Sequence, residues 1–283
     1  MSKAKRLLSY LLSIFLVVSL FSTVVVIVLN LTLFSSLNTK KQIATNNYYE
    51  EVKKIIVESC QDYVMQSGFD ESIMDNVVNS YDVESDVNGL IDYIYDGKEY
   101  EINSNVVKEN LDKNIKEYIA SNEYAVNEET QKGIDTFEDT IKQIYERNIE
   151  YSRDTVKQIS DGYKKVKKAV TFIMLVCIGI TVILGFIVYK LSKPSLGISM
   201  LSTGAILIFL KIYSGTTVAI NNILLMNRAF SNTLIAIANQ IVGMLFVAGI
   251  ILCIAGIAWI IYAEASRKLV KMQLLDEHSQ VIR

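Results

Sequence analysis

The chain has 283 residues, of which 51% are hydrophobic, and its mean hydropathy is positive at +0.30. Its formal net charge of −2 conceals a split. Residues 42–163 carry 27 acidic and 11 basic side chains, a balance of −16, and the rest carries 3 acidic and 17 basic, a balance of +14. These values exclude an ordinary soluble domain, and a single proline, against a usual share of about 5%, excludes turn-dense β-architectures and proline-rich linkers.

Lys3, Lys5 and Arg6 precede a run from Leu7 to Phe34 that contains no charge. About 20 apolar residues cross a bilayer. The run exceeds the apolar core of a cleavable signal, and no small-residue cleavage pattern follows it. Residues 1–37 are therefore expected to hold a short cytoplasmic start and an uncleaved signal-anchor helix.

Residues 38–168 are polar and charged, and their punctuation predicts helices. Tyr49, Val52, Ile56, Cys60 and Tyr63 recur at close to the helical period within Asn46–Gln66, and Gly68 is a natural stop. Asp70 is expected to cap a short helix carrying Ile73, Val77 and Val78, and Ser85 another reaching Tyr95. Asp96-Gly97 reads as a turn, Tyr100–Ile102 as briefly extended, and Ser104 as the cap of a helix to about Ala120. After the cap Asn127, an apolar stripe runs from Ile134 through Phe137, Ile141, Tyr145, Ile149, Ser152, Val156, Ile159, Tyr163 and Val166 to Val170. That stripe predicts one unbroken helix of about 60 residues, roughly 90 Å at 1.5 Å per residue, running into the second span.

Residues 169–265 are expected to form three further spans, at about 169–189, 196–213 and 234–262. Between the last two lies 214–233, read as interfacial, re-entrant or a loop, and 266–283 is read as a cytoplasmic tail. The fold class is thus all-α, with four transmembrane helices and an elongated helical extracytoplasmic domain between the first and second. The excess of Lys and Arg at the N-terminus, at Lys190 and Lys193, and at Arg267, Lys268 and Lys271 marks the cytoplasmic side. Both termini are then cytoplasmic in a multi-pass plasma-membrane protein, with residues 38–168 outside. The cluster Lys164-Lys165-Val166-Lys167-Lys168 would sit at the outer headgroups.

One histidine, His278, argues against His-based zinc sites and Ser-His or Cys-His nucleophiles. No phosphate-binding G-x-x-x-x-G-K-[ST] loop and no G-x-S-x-G elbow occurs. The stretch from Asp82 to Gly89 places Val87 and Tyr93 where a calcium loop needs Gly and Glu. No enzyme, cofactor or metal is therefore expected, and the acidic surface is expected to repel nucleic acid. Twelve of the sixteen tyrosines lie in the acidic region, chiefly as expected core-edge residues. Cys60 is the only cysteine there, which excludes an internal disulfide in that region. Within the spans, Lys211, Asn239 and Gln240 are the candidates for an intramembrane polar site, with snorkelling or interhelical hydrogen bonding as the plainer readings. Small residues spaced by four, at Cys177, Thr181 and Gly185 and at Ser195, Ser199 and Thr203, suit close helix packing.

The layout of one anchor, an acidic helical ectodomain and three more spans resembles that of clostridial-type membrane proteins without an assigned activity. The stretches Gln66–Ile73 and Ile91–Gly97 carry that likeness, and the bias toward Ile, Asn, Lys, Tyr and Glu fits a low-GC Gram-positive source. A helical ectodomain between two spans is also similar to the layout of bacterial chemoreceptor-type sensors, but no signalling domain follows the second span. The expected function is a non-enzymatic sensor or scaffold of the cell envelope. Its ectodomain would engage an envelope partner or a second copy of the chain, with the lipid bilayer around its spans. The alternative is a channel or transporter subunit with a polar path near the third and fourth spans.

Overall fold

The computed structural model describes residues 3–150, 152–216 and 228–281. Those residues are mostly helical and include no strand. Nine α-helices and one 3₁₀ turn follow in order: α1 Lys3–Leu33, α2 Ser36–Thr45, α3 Tyr48–Ser67, the 3₁₀ turn Glu71–Met74, α4 Ser80–Asp96, α5 Ser104–Ser121, α6 Glu128–Ile149, α7 Arg153–Leu191, α8 Lys193–Thr216 and α9 Arg228–Val281. Four of these helices are long and apolar enough to cross a membrane: α1, α7, α8 and α9.

The chain divides into two compact units. The acidic unit comprises Phe34–Lys167 together with the start of α9 up to Ala236. Its core is one cluster to which α3 gives Val52, Ile56, Cys60 and Val64, α5 gives Val107, Leu111 and Ile115, and α6 gives Phe137, Ile141 and Tyr145. These positions recur at steps of four, which lays each helix's apolar stripe inward. The helix ends obey local chemistry. Asn127 accepts from the Thr130 N–H and Asn79 from the Asp82 N–H, each supplying a partner to an orphan donor of the first turn. Gly68 and Gly97 end α3 and α4 with φ of 82° and 72°, a left-handed backbone that suits glycine.

Several expectations are corrected. Helix α2 went unread; Ser35 caps it by accepting from the Asn38 N–H. Helix α4 starts five residues before Ser85, at Ser80, because Asn79 provides the cap. Helix α5 does begin at Ser104, but the residue in the cap position is Asn103.

The main correction concerns the long helix. Helix α6 ends at Ile149, Glu150 is extended with φ −133° and ψ 108°, and α7 begins at Arg153. The apolar stripe also loses phase across this break. Val156 and Ser160 are buried, whereas Ile159 and Val166 are about half exposed, at 51% and 52%. A run of matching periodicity is therefore two helices, each with its own inward face.

The other unit comprises α1, α7 from Lys168, α8, and α9 from Ile237. The expected link at residues 190–195 shrinks to Ser192, with Pro194 in the first turn of α8, where its missing N–H costs no helical bond. The segment expected at 214–233 falls mainly on residues outside those described; from Arg228 onward the chain is helical.

Candidate functional site

In the acidic unit, Asp86 stands on the inward stripe of α4 beside Val83, Val87 and Ile91, and is only 4% exposed. A buried carboxylate needs donors. Tyr145 O–H donates to its Oδ2 at 2.7 Å, and the Asn103 backbone N–H donates to both oxygens at 3.1 and 3.2 Å. Burial nevertheless pushes its carboxyl above the usual range, with the two donors opposing the shift. The group ties α4, the start of α5 and α6 together. Glu138 of α6 is equally buried, and its Oε1 has no hydrogen-bond partner among the described residues. Burial first, then the Asp112 charge, raises its carboxyl. Burial likewise pushes the Cys60 thiol up to about 12, which marks it as an inert core residue.

The first turns of α7 are held against the end of α4. Ser160 O–H lies 3.1 Å from the Tyr93 carbonyl, which also accepts from the Gly97 N–H, and 3.2 Å from that of Ile94. Tyr163 packs on Tyr95 with ring centroids 4.4 Å apart and on Phe34 at 5.5 Å. Lys40 and Asp92 form a half-buried ion pair at 2.6 Å.

An open cleft lies beside the α6–α7 break. Lys142, Arg147 and Glu146 of α6, Arg153 of α7, Glu150 and Glu101 all line it. Ser104 and Asn105 at the start of α5 complete its floor. Ser104 O–H donates to Glu146 Oε1 at 2.5 Å, and Lys142 Nζ donates to Asn105 Oδ1 at 2.7 Å. Arg153 donates to the Tyr100 carbonyl at 3.1 Å and lies over that ring at 5.0 Å. Three cations face three carboxylates here, on a unit that is otherwise strongly acidic. The sequence contained a cue to this site that its reading missed: Arg147 and Arg153 are the only arginines in 42–163.

In the apolar unit, hydroxyl side chains stitch the helices. Ser9 Oγ lies 3.3 Å from Ser195 Oγ; Ser199 and Thr203 donate to the Ser13 and Val17 carbonyls, both at 3.3 Å. The partners keep a constant separation of 186 residues, so α1 and α8 run parallel. Thr181 lies 2.6 Å from Ser19 and 2.8 Å from Thr23, while Asn30 donates to Thr171, an antiparallel order for α1 and α7. Helices α8 and α9 meet at glycines. A Cβ at Gly197 would stand 2.8 Å from the Gly256 carbonyl, and one at Gly204 would stand 2.6 Å from that of Gly249. The signal of this close approach, two glycine pairs each seven residues apart, was present in the sequence but went unread.

The intramembrane candidates are placed as follows. Lys211 is half-buried, five residues before the end of α8, and its carbonyl accepts from Ser214 O–H. Asn239 is exposed on α9, and Gln240 is half-buried. Among the described contacts, none joins Lys211 to Asn239. Among the described residues, no group of three His, Cys, Asp or Glu side chains is placed to hold a metal ion. No match was found to any protein-family model, curated protein or solved structure.

Proposed function

We propose that this chain is an integral membrane protein of a Gram-positive cell envelope, a non-enzymatic sensor or scaffold. Its acidic helical unit faces outward and engages an envelope component. The observation that carries this reading is the pairing of four apolar helices with a separately packed unit whose stretch 42–163 has a balance of −16. The parallel order of α1 and α8, with α1 and α7 antiparallel, is the order that four successive crossings require. It also fits the cytoplasmic assignment of both termini, which rests on the positive-inside bias. The hydroxyl groups between α1, α7 and α8 bond to one another or to carbonyls, which favours a packed bundle over the channel alternative.

Labelling tests the sidedness. Glu129 is exposed in the first turn of α6. In intact cells, a Glu129→Cys variant should react with a membrane-impermeant maleimide, while a cysteine in the tail at Arg267 should react only after the cells are opened. The opposite pattern would overturn the reading.

A further inference from the structure

We propose that the cleft at the α6–α7 break binds a small zwitterion, an α-ammonium carboxylate such as a free amino acid or the equivalent of a short peptide. The inference rests on the reading of the acidic unit as the ligand-receiving part of the protein and names its ligand class. Three observations support it. First, both arginines of residues 42–163 line this one cleft. Second, among the described residues neither guanidinium forms an ion pair, on a unit with 27 carboxylates where lysines such as Lys98 and Lys108 are paired. Arg147 is exposed, and Arg153 spends its contacts on the Tyr100 carbonyl and ring. Planar guanidinium groups with free donors suit a carboxylate, which they take in a two-point hydrogen bond.

Third, the cleft alternates its signs. Glu101, Glu146 and Glu150 lie among Lys142, Arg147 and Arg153. Ser104 engages one oxygen of Glu146, and Glu150 Oε1 is buried beside the Tyr100 hydroxyl with no formed hydrogen bond among the described residues. Ammonium donors answer those oxygens. A simple amine finds carboxylates all over this unit and has no reason to prefer the cleft. A simple anion is opposed by the field of the whole unit. A molecule carrying both charges a few ångströms apart satisfies both sets of groups only here. The cleft is built from the end of α6, the start of α7 and the start of α5, so occupancy bridges the break between α6 and α7.

Calorimetric titration of the full-length protein in detergent tests this, with alanine and dialanine as the probes and acetate and methylammonium as one-charge controls. Alanine or dialanine should bind saturably, and the controls should bind at least about tenfold more weakly, because each loses one set of charged hydrogen bonds. Arg147→Gln should weaken binding by about tenfold or more. Lys132→Gln, which removes the same charge from an exposed site ten residues, nearly three helical turns, before Lys142 on α6, should change it by less than about twofold. Unchanged thermal unfolding of Arg147→Gln would show that the fold is intact. No saturable heat with either probe, equal binding of acetate, or full binding by Arg147→Gln would overturn the proposal. The titration is independent of membrane sidedness, so its failure is distinct from a failure of the labelling experiment.

Discussion

Two buried carboxylates of the acidic unit behave oppositely on mutation because their partners differ. Asp86 has donors from Tyr145 and Asn103, so Asp86→Ala strands a buried hydroxyl and a partly buried N–H. That loss should cost about 2 kcal/mol in the thermal unfolding of the full-length protein in detergent. Glu138 has an oxygen with no partner, and its raised pKa means that the folded state binds a proton more tightly than the unfolded chain does. Stability from this group is therefore fully present below the ordinary glutamate range and is lost as pH rises through the raised folded value. Glu138→Gln, neutral at every pH, should be more stable than the native chain near pH 8. The advantage should shrink as the pH falls toward the ordinary glutamate value of 4.5. A difference that grows on acidification would show that Lys108 and Lys116, which pull the pKa down, outweigh burial and the nearby Asp112 and Asp135.

At the scale of elements, the tightest joint is between α8 and α9. A Cβ at Gly204 would meet the Cys253 sulfur and the Gly249 carbonyl, both at 2.6 Å, and the second contact is backbone that cannot rotate away. Gly204→Val should therefore destabilise the bundle by about 2 kcal/mol, the scale of overpacking. Gly179→Ala, where the space is open, should be neutral or slightly favourable through helix propensity. Equal effects of the two, measured by thermal unfolding in detergent, would refute the close joint. The elements were legible to different degrees for physical reasons. Spans, the Gly68 stop and the Asn127 cap were readable because hydropathy and capping are local. Helix α2 was missed because its mixed polar sequence gives no clear stripe. The α6–α7 break was missed because the apolar spacing continues through Ser152, and only packing reveals that Ile159 and Val166 face away. The cleft was missed because its groups come from residues 101–153, which no spacing rule brings together.

For the whole molecule, the separation of charge and the placement of one residue permit the two units to be watched independently. Trp259, the only tryptophan, belongs to the apolar unit, where its indole N–H donates to the Lys193 carbonyl at 3.0 Å and its ring meets Tyr189 and Tyr262. Its fluorescence therefore reports that unit alone. The acidic unit, with no tryptophan, contributes to far-ultraviolet circular dichroism. Its stretch 42–163 holds 27 acidic against 11 basic side chains, an excess of like charge that repels across distances of many ångströms. The Debye length falls from about 30 Å at 0.01 M salt to about 8 Å at 0.15 M, so most of that repulsion is screened over this range. Surface ion pairs such as Lys116 with Asp112 weaken under the same screening, but exposed pairs contribute roughly 0–1 kcal/mol each and are few beside the excess of like charge. The net effect of salt on the acidic unit is therefore stabilising. Thermal unfolding in detergent should show a dichroism transition that moves up with salt, while the Trp259 transition stays within a degree or two. A single transition shared by both probes at every salt concentration would mean that the two units unfold as one. A dichroism transition that moves down with salt would mean that ion pairs, not self-repulsion, dominate the acidic unit.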